Sequence, residues 1–64
     1  MRGRKTNIII GLNGTHLTNE EIDLIQNLQP AGFILFSRNC ESAKQVRALT
    51  DELKRCVYNP LILI

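Results

Sequence analysis

The sequence has 64 residues, 44% of them hydrophobic and 22% charged, with a formal net charge of +2 at pH 7. That length holds one small domain at most, and so mild a charge gives no basis for nucleic-acid binding. Two cysteines and one histidine offer no zinc-ligand spacing, and no stretch approaches the ~20 apolar residues of a membrane span.

The chain begins with "MRGRK", the densest basic cluster, which reads as a solvated tail over residues 1–6. The apolar run behind it is too short and too soon broken by Asn13 to serve as the core of a signal peptide. Asn13-Gly14-Thr15 matches a glycosylation acceptor, but without secretion the match carries nothing. A cytoplasmic protein is expected.

"NIIIGL" is a β-branched run punctuated by Gly11 and Gly14, hence a strand followed by a loop. Thr18 and Glu21 then form a T-x-x-E capping box, with Leu17 and Ile22 spaced as its hydrophobic staple. Leu24, Ile25 and Leu28 continue an apolar stripe until Pro30 and Gly32 end the helix. "GFILF" predicts a second, buried strand, leading into the polar turn Ser37 to Glu41. Ser42 and Gln45 make a second box, S-x-x-Q, ahead of Val46, Leu49, Leu53 and Cys56-Val57, one face of a helix. Lys54 and Arg55 in the last turn suit the helix dipole. Asn59-Pro60 turns the chain into a third strand, "LILI", where the sequence stops.

The order β-α-β-α-β implies parallel pairing through right-handed crossovers. Ideal compaction of such a chain buries apolar surface worth on the order of 90 kcal/mol, against about 95 kcal/mol to order it, so it has little stability to spare. The cysteines do not offset that deficit. A helix between Cys40 and Cys56 would hold them about 20 Å apart, beyond the reach of a disulfide, and both are expected as free thiols. A terminus inside an apolar strand is expected either to fray into solvent or to be the front of something longer.

In parallel α/β folds function gathers where strands lead into helices. Here those loops are Gly11 to Leu17, with Asn13, Thr15 and His16, and Ser37 to Glu41, with Arg38 and Asn39. "GLNG" is neither a dinucleotide fingerprint nor a phosphate loop, and no cofactor is implied. His16 has no visible partner and reads as a solvated loop residue; Glu20, Glu21, Asp51 and Glu52 read as caps or helix surface. Arg38-Asn39 is the couple of interest. A forked guanidinium beside an amide suits a network bracing the neighbouring loops, the preferred reading, or contact with a polar ligand.

"PAGFILFSRNCESAKQVRALTDELK" resembles the N-terminal part of family 3 glycoside hydrolases, nearest to the bacterial β-N-acetylhexosaminidases of cell-wall recycling. "GLNGTHLTNEE" is similar to their first loop and helix start, and "NPLILI" to the strand before their Asp-Gln-Glu-Gly-Gly-Arg-Val segment. The resemblance implies a βαβαβ fragment of a (β/α)8 barrel, supplying the first three strands and two helices of a fold of ~250 residues. It implies hydrolysis of terminal N-acetylglucosamine from peptidoglycan fragments, by a retaining mechanism. The sugar-gripping, nucleophilic and acid/base residues of that family all fall outside this sequence, so no catalytic, substrate-binding or metal residue is assigned. Arg38 and Asn39 remain as candidates for supporting the active-face loops.

The expectation is therefore an inactive N-terminal piece of a glycosidase whose carbohydrate substrate binds only in the complete enzyme. The remainder of the barrel, if separately encoded, would be its partner. The alternative is a non-catalytic gene remnant or an interaction protein that self-associates through its sheet.

Overall fold

The computed structural model describes residues 6–64. The basic tail expected at the start of the chain falls outside them, apart from Thr6. Thr6 donates its backbone N–H to the Gln29 carbonyl at 2.9 Å.

Strand β1 is Ile9–Gly11, helix α1 Asn19–Leu28, strand β2 Gly32–Ile34, helix α2 Ala43–Cys56 and strand β3 Leu61–Leu63, with a 3-10 turn at Ser37–Asn39 before α2. The strands form one parallel sheet in chain order, β1-β2-β3. Ile10, Phe33 and Ile62 lie side by side across it. Backbone bonds carry the ladders beyond the strand ends: Ala31 donates to Ile8 at 2.8 Å, Leu61 to Ala31 at 3.0 Å and Leu35 to Leu63 at 2.8 Å.

Helix α1 starts as its sequence requires. The Thr18 hydroxyl accepts from the Glu21 N–H at 3.1 Å, while a Glu21 carboxylate oxygen accepts from the Thr18 N–H at 3.0 Å. The helix stops at Gln29, held in the left-handed region at φ 50°. Its side chain donates to the Cys56 carbonyl at 3.0 Å, tying the ends of the two helices together. Helix α2 is capped by half a box. Ser42 accepts from the Gln45 N–H at 3.1 Å, but the Gln45 side chain turns to the preceding loops instead of closing back on Ser42.

Both helices pack on the same side of the sheet. Ile25 of α1 and Leu49 and Leu53 of α2 are buried with Phe33, Leu12, Leu35 and Val57 in one cluster, and Ile10 and Ile62 rest against it. Successive strand residues point to opposite faces. The other face therefore carries Ile9, Ile34, Leu61 and Leu63 with no helix over it among the described residues, and Ile9 is 42%, Leu61 52% and Leu63 40% exposed. Leu24, expected within the α1 stripe, is 53% exposed. Ile25 at the centre of the helix's inward face takes the core position.

At Gly32, β2 has no room for a side chain against β3. A Cβ built there would run into the Leu61 carbonyl oxygen and sit 2.7 Å from the Leu61 Cβ. Only glycine allows β2 and β3 to pair at this register.

Among the described residues no helix is long and apolar enough to cross a membrane.

Candidate functional site

The two loops that leave the C-terminal ends of β1 and β2 lie together and are joined by side-chain hydrogen bonds. Asn39 is the hub. It is fully buried, and its amide nitrogen donates to the Leu12 carbonyl at 3.1 Å and the Gly14 carbonyl at 2.7 Å. Its amide oxygen accepts from the Phe36 N–H at 2.8 Å. An asparagine amide has two N–H donors and a carbonyl acceptor, and all three functions are used. The 3-10 turn at Ser37–Asn39 makes this feasible. It folds the chain back so that Asn39 lies under its own strand end, with its N–H bonded to the Phe36 carbonyl at 2.8 Å.

Gln45 makes a second cross-link. Its amide nitrogen donates to the Thr15 carbonyl at 2.7 Å and the Asn39 carbonyl at 2.9 Å, and its oxygen accepts from the Glu41 N–H at 2.7 Å. Glu21 makes a third. One carboxylate oxygen serves the helix cap and the other accepts from the Asn13 N–H at 3.0 Å. Short polar side chains thus satisfy backbone groups that neither helix nor sheet could reach. No buried side-chain nitrogen or oxygen among the described residues lacks a partner.

Arg38 stands at the rim of this network and is exposed. Its Nε donates to the Leu12 carbonyl at 3.1 Å, the same carbonyl that Asn39 uses. Its guanidinium lies over the Phe36 ring, 4.8 Å from the ring centre, a cation–π arrangement. The structure therefore places Arg38 and Asn39 side by side and turns both toward the first loop. His16 is exposed on that loop, away from any hydrogen bond or ion pair among the described residues. Glu20, Asp51 and Glu52 lie on the helices, apart from the loop network.

Sequence reasoning missed Gln45 and Glu21 as loop residues. Each sits at a capping position, which accounts for it locally. Its longer reach depends on which loop the fold brings beside it, and no spacing in the sequence records that.

The chemistry on offer is that of a braced rim. Among the described residues no three His, Cys, Asp or Glu side chains come together as metal ligands. Cys40 and Cys56 are free and half-buried. Burial, then the neighbouring Glu52 carboxylate, pushes the Cys56 thiol pKa above its ordinary value, with Arg55 partly opposing. A hollow against Ala43, Lys44 and Arg47 lies on the open surface of α2, apart from the loop network.

Comparison with known proteins sets these loops in context. No protein-family model matches the chain. Over 56 residues, 88% of its length, it is 43% identical to a beta-hexosaminidase of Alkalilimnicola ehrlichii. It is 38% identical over the same length to a beta-hexosaminidase of Haemophilus ducreyi. A beta-hexosaminidase of Haemophilus influenzae is 34% identical over 58 residues. In each case the chain spans 16% of the relative's length.

Proposed function

We propose that the chain, which is 34–43% identical to beta-hexosaminidases and spans 16% of their length, is the N-terminal βαβαβ portion of a family 3 β-N-acetylhexosaminidase barrel. In this reading it frames a site for terminal N-acetylglucosamine of peptidoglycan fragments in the cytoplasm. The part of the enzyme it does not span supplies the nucleophile and the proton donor of a retaining hydrolysis.

The observation that carries the reading is the identity of 34–43% along 88% or more of the chain. The topology supports it. Strands in chain order with both helices on one side are how a (β/α)8 barrel is wound, and the uncovered face is the side that would line the barrel interior. The loops tied together by Asn39 and Gln45 leave the C-terminal strand ends, the face on which barrel active sites are built. Arg38 and Asn39 are then supports of that face. They hold the first two loops in register and touch no reacting atom.

The test is a segment exchange. This chain replaces the matching stretch of the Alkalilimnicola ehrlichii relative, and the chimera is assayed on a chromogenic N-acetylglucosaminide. A soluble chimera that turns over the substrate, while the 64-residue chain alone does not, is the expected result. A folded chimera without turnover would overturn the proposal.

The uncovered apolar face favours one second reading, a non-catalytic remnant or interaction protein that self-associates through its sheet. Turnover by the chimera separates the two.

A further inference from the structure

We propose that Arg38, together with the notch at Gly11, forms a seat for a carboxylate group at the C-terminal ends of β1 and β2. Two constraints fix the guanidinium. Nε is committed to the Leu12 carbonyl at 3.1 Å, and the plane lies over Phe36 at 4.8 Å. The two Nη groups make no hydrogen bond or ion pair among the described residues. They present a preset pair of donors with a full positive charge behind them.

Gly11 supplies the room. A Cβ built on it would lie 3.8 Å from Arg38 Nη2, 3.5 Å from Phe36 Cε2 and 3.8 Å from Ile34 Cγ2. These are ordinary contact distances, so an atom at that place meets one cation and two apolar side chains without a clash. A ligand atom can occupy the same place from outside, because Gly11 is exposed.

The chemistry selects the occupant. With Nε taken, the end-on Nη pair remains, which matches the two oxygens of a carboxylate in parallel hydrogen bonds. Arg38 is the one lysine or arginine in the two loops, residues 12–18 and 35–42. A single positive charge is matched by a monoanion, where a dianionic phosphate would call for more. The apolar walls suit a carboxylic acid whose body lies against Ile34 and Phe36. The inference depends only on this geometry and goes beyond the hexosaminidase reading.

The experiment uses the full chain and has two arms. In the first, ¹⁵N-labelled protein is titrated with sodium acetate against sodium chloride at matched ionic strength, following the Arg38 Nε–H and Gly11 amide resonances. A saturable, acetate-specific shift is expected, absent in Gly11→Asp, whose own carboxylate fills the seat, and weaker with inorganic phosphate. In the second, urea unfolding compares Gly11→Asp with Gly11→Asn. The aspartate variant is expected to have a folding constant about two- to fivefold larger, the scale of an exposed ion pair. That advantage should vanish in an Arg38→Gln background and at about 1 M salt. The second arm needs no resolved side-chain signal. Equal shifts with acetate and chloride, an acetate shift that survives in Gly11→Asp, a stronger phosphate response, or an aspartate no better than asparagine would each overturn the proposal.

Discussion

Asn39 donates its side-chain amide to the carbonyl of Gly14, 25 residues earlier in the chain, at 2.7 Å. The bond joins the two loops at the strand ends, and it runs from a fully buried amide to a carbonyl of half-buried Gly14. Replacing Asn39 by alanine removes this bond, the one to the Leu12 carbonyl and the one from the Phe36 N–H. Leaving buried backbone groups unpaired costs about 1–3 kcal/mol each where water cannot enter. We expect Asn39→Ala to destabilise the chain by about 2–4 kcal/mol, in the range of broken buried networks. Urea unfolding followed by circular dichroism measures it. A loss below 1 kcal/mol would show that the loops are held by other means.

The Gly32→Ala substitution tests the sheet rather than the loops. The added methyl group would collide with the Leu61 carbonyl oxygen and crowd the Leu61 Cβ at 2.7 Å, and backbone cannot move aside as a side-chain tip can. The expected cost is about 1–3 kcal/mol, as for other overpacked positions, with the damage concentrated at β3. Hydrogen exchange locates it. Protection of the Leu61 and Leu63 amides should fall while that of α1 is less affected. Unchanged exchange in β3 would mean that β2 and β3 are not paired in this register.

The parts of this fold that were legible in the sequence are those whose cause is local. Thr18 and Glu21 stand three residues apart and complete their box as written. Gln45 stands in the same relation to Ser42, yet its side chain goes to Thr15, Asn39 and Glu41, because the loop from β1 lies within its reach. Arg38 and Asn39 drew attention by residue type and position after a strand. That Asn39 would be the buried hub and Arg38 the exposed rim depends on contacts 25 to 27 residues apart. Leu24 matched the helical period but not the core, since periodicity marks a stripe and packing decides its edge. "GFILF" reads as a buried strand and "LILI" as an apolar one, whereas the helices here cover one face of the sheet.

Cys56 connects stability to pH. Its folded-state pKa is raised, first by burial and then by Glu52. The unfolded chain therefore releases this proton first as pH rises. The stability contributed by the neutral thiol is fully present below the unfolded pKa and is lost as pH climbs through the higher folded value. Chain stability should thus decline in the alkaline range above the ordinary thiol pKa, and less so in Cys56→Ser. Native protein should also show two titratable thiols under non-reducing conditions, with Cys56 alkylated more slowly than in urea. A disulfide between Cys40 and Cys56 in folded protein would contradict their placement, one before α2 and the other at its end.

The bare sheet face leads to the remaining prediction. Ile9, Ile34, Leu61 and Leu63 share it, and among the described residues β1 and β3 each pair on one side only. Unpaired strand edges beside apolar surface template association. The strength can be bounded. When two copies meet through this face, covering what remains exposed of four such side chains on each is worth on the order of 8 kcal/mol, from ~1.5–3 kcal/mol for each fully buried one. Association costs about 4–15 kcal/mol in lost translational and rotational freedom. The two nearly cancel, so backbone bonds at the edges decide the balance, and contact between copies should be weak and concentration-dependent, without a fixed tight dimer. Light scattering across a dilution series should show a mass that rises with concentration. The double variant Leu61→Lys, Leu63→Lys charges the open face while leaving Ile62 on the core side, and should shift the population to monomer. A wild-type monomer at every concentration, with a steep urea transition, would show that three strands and two helices suffice alone and that the apolar face needs no cover.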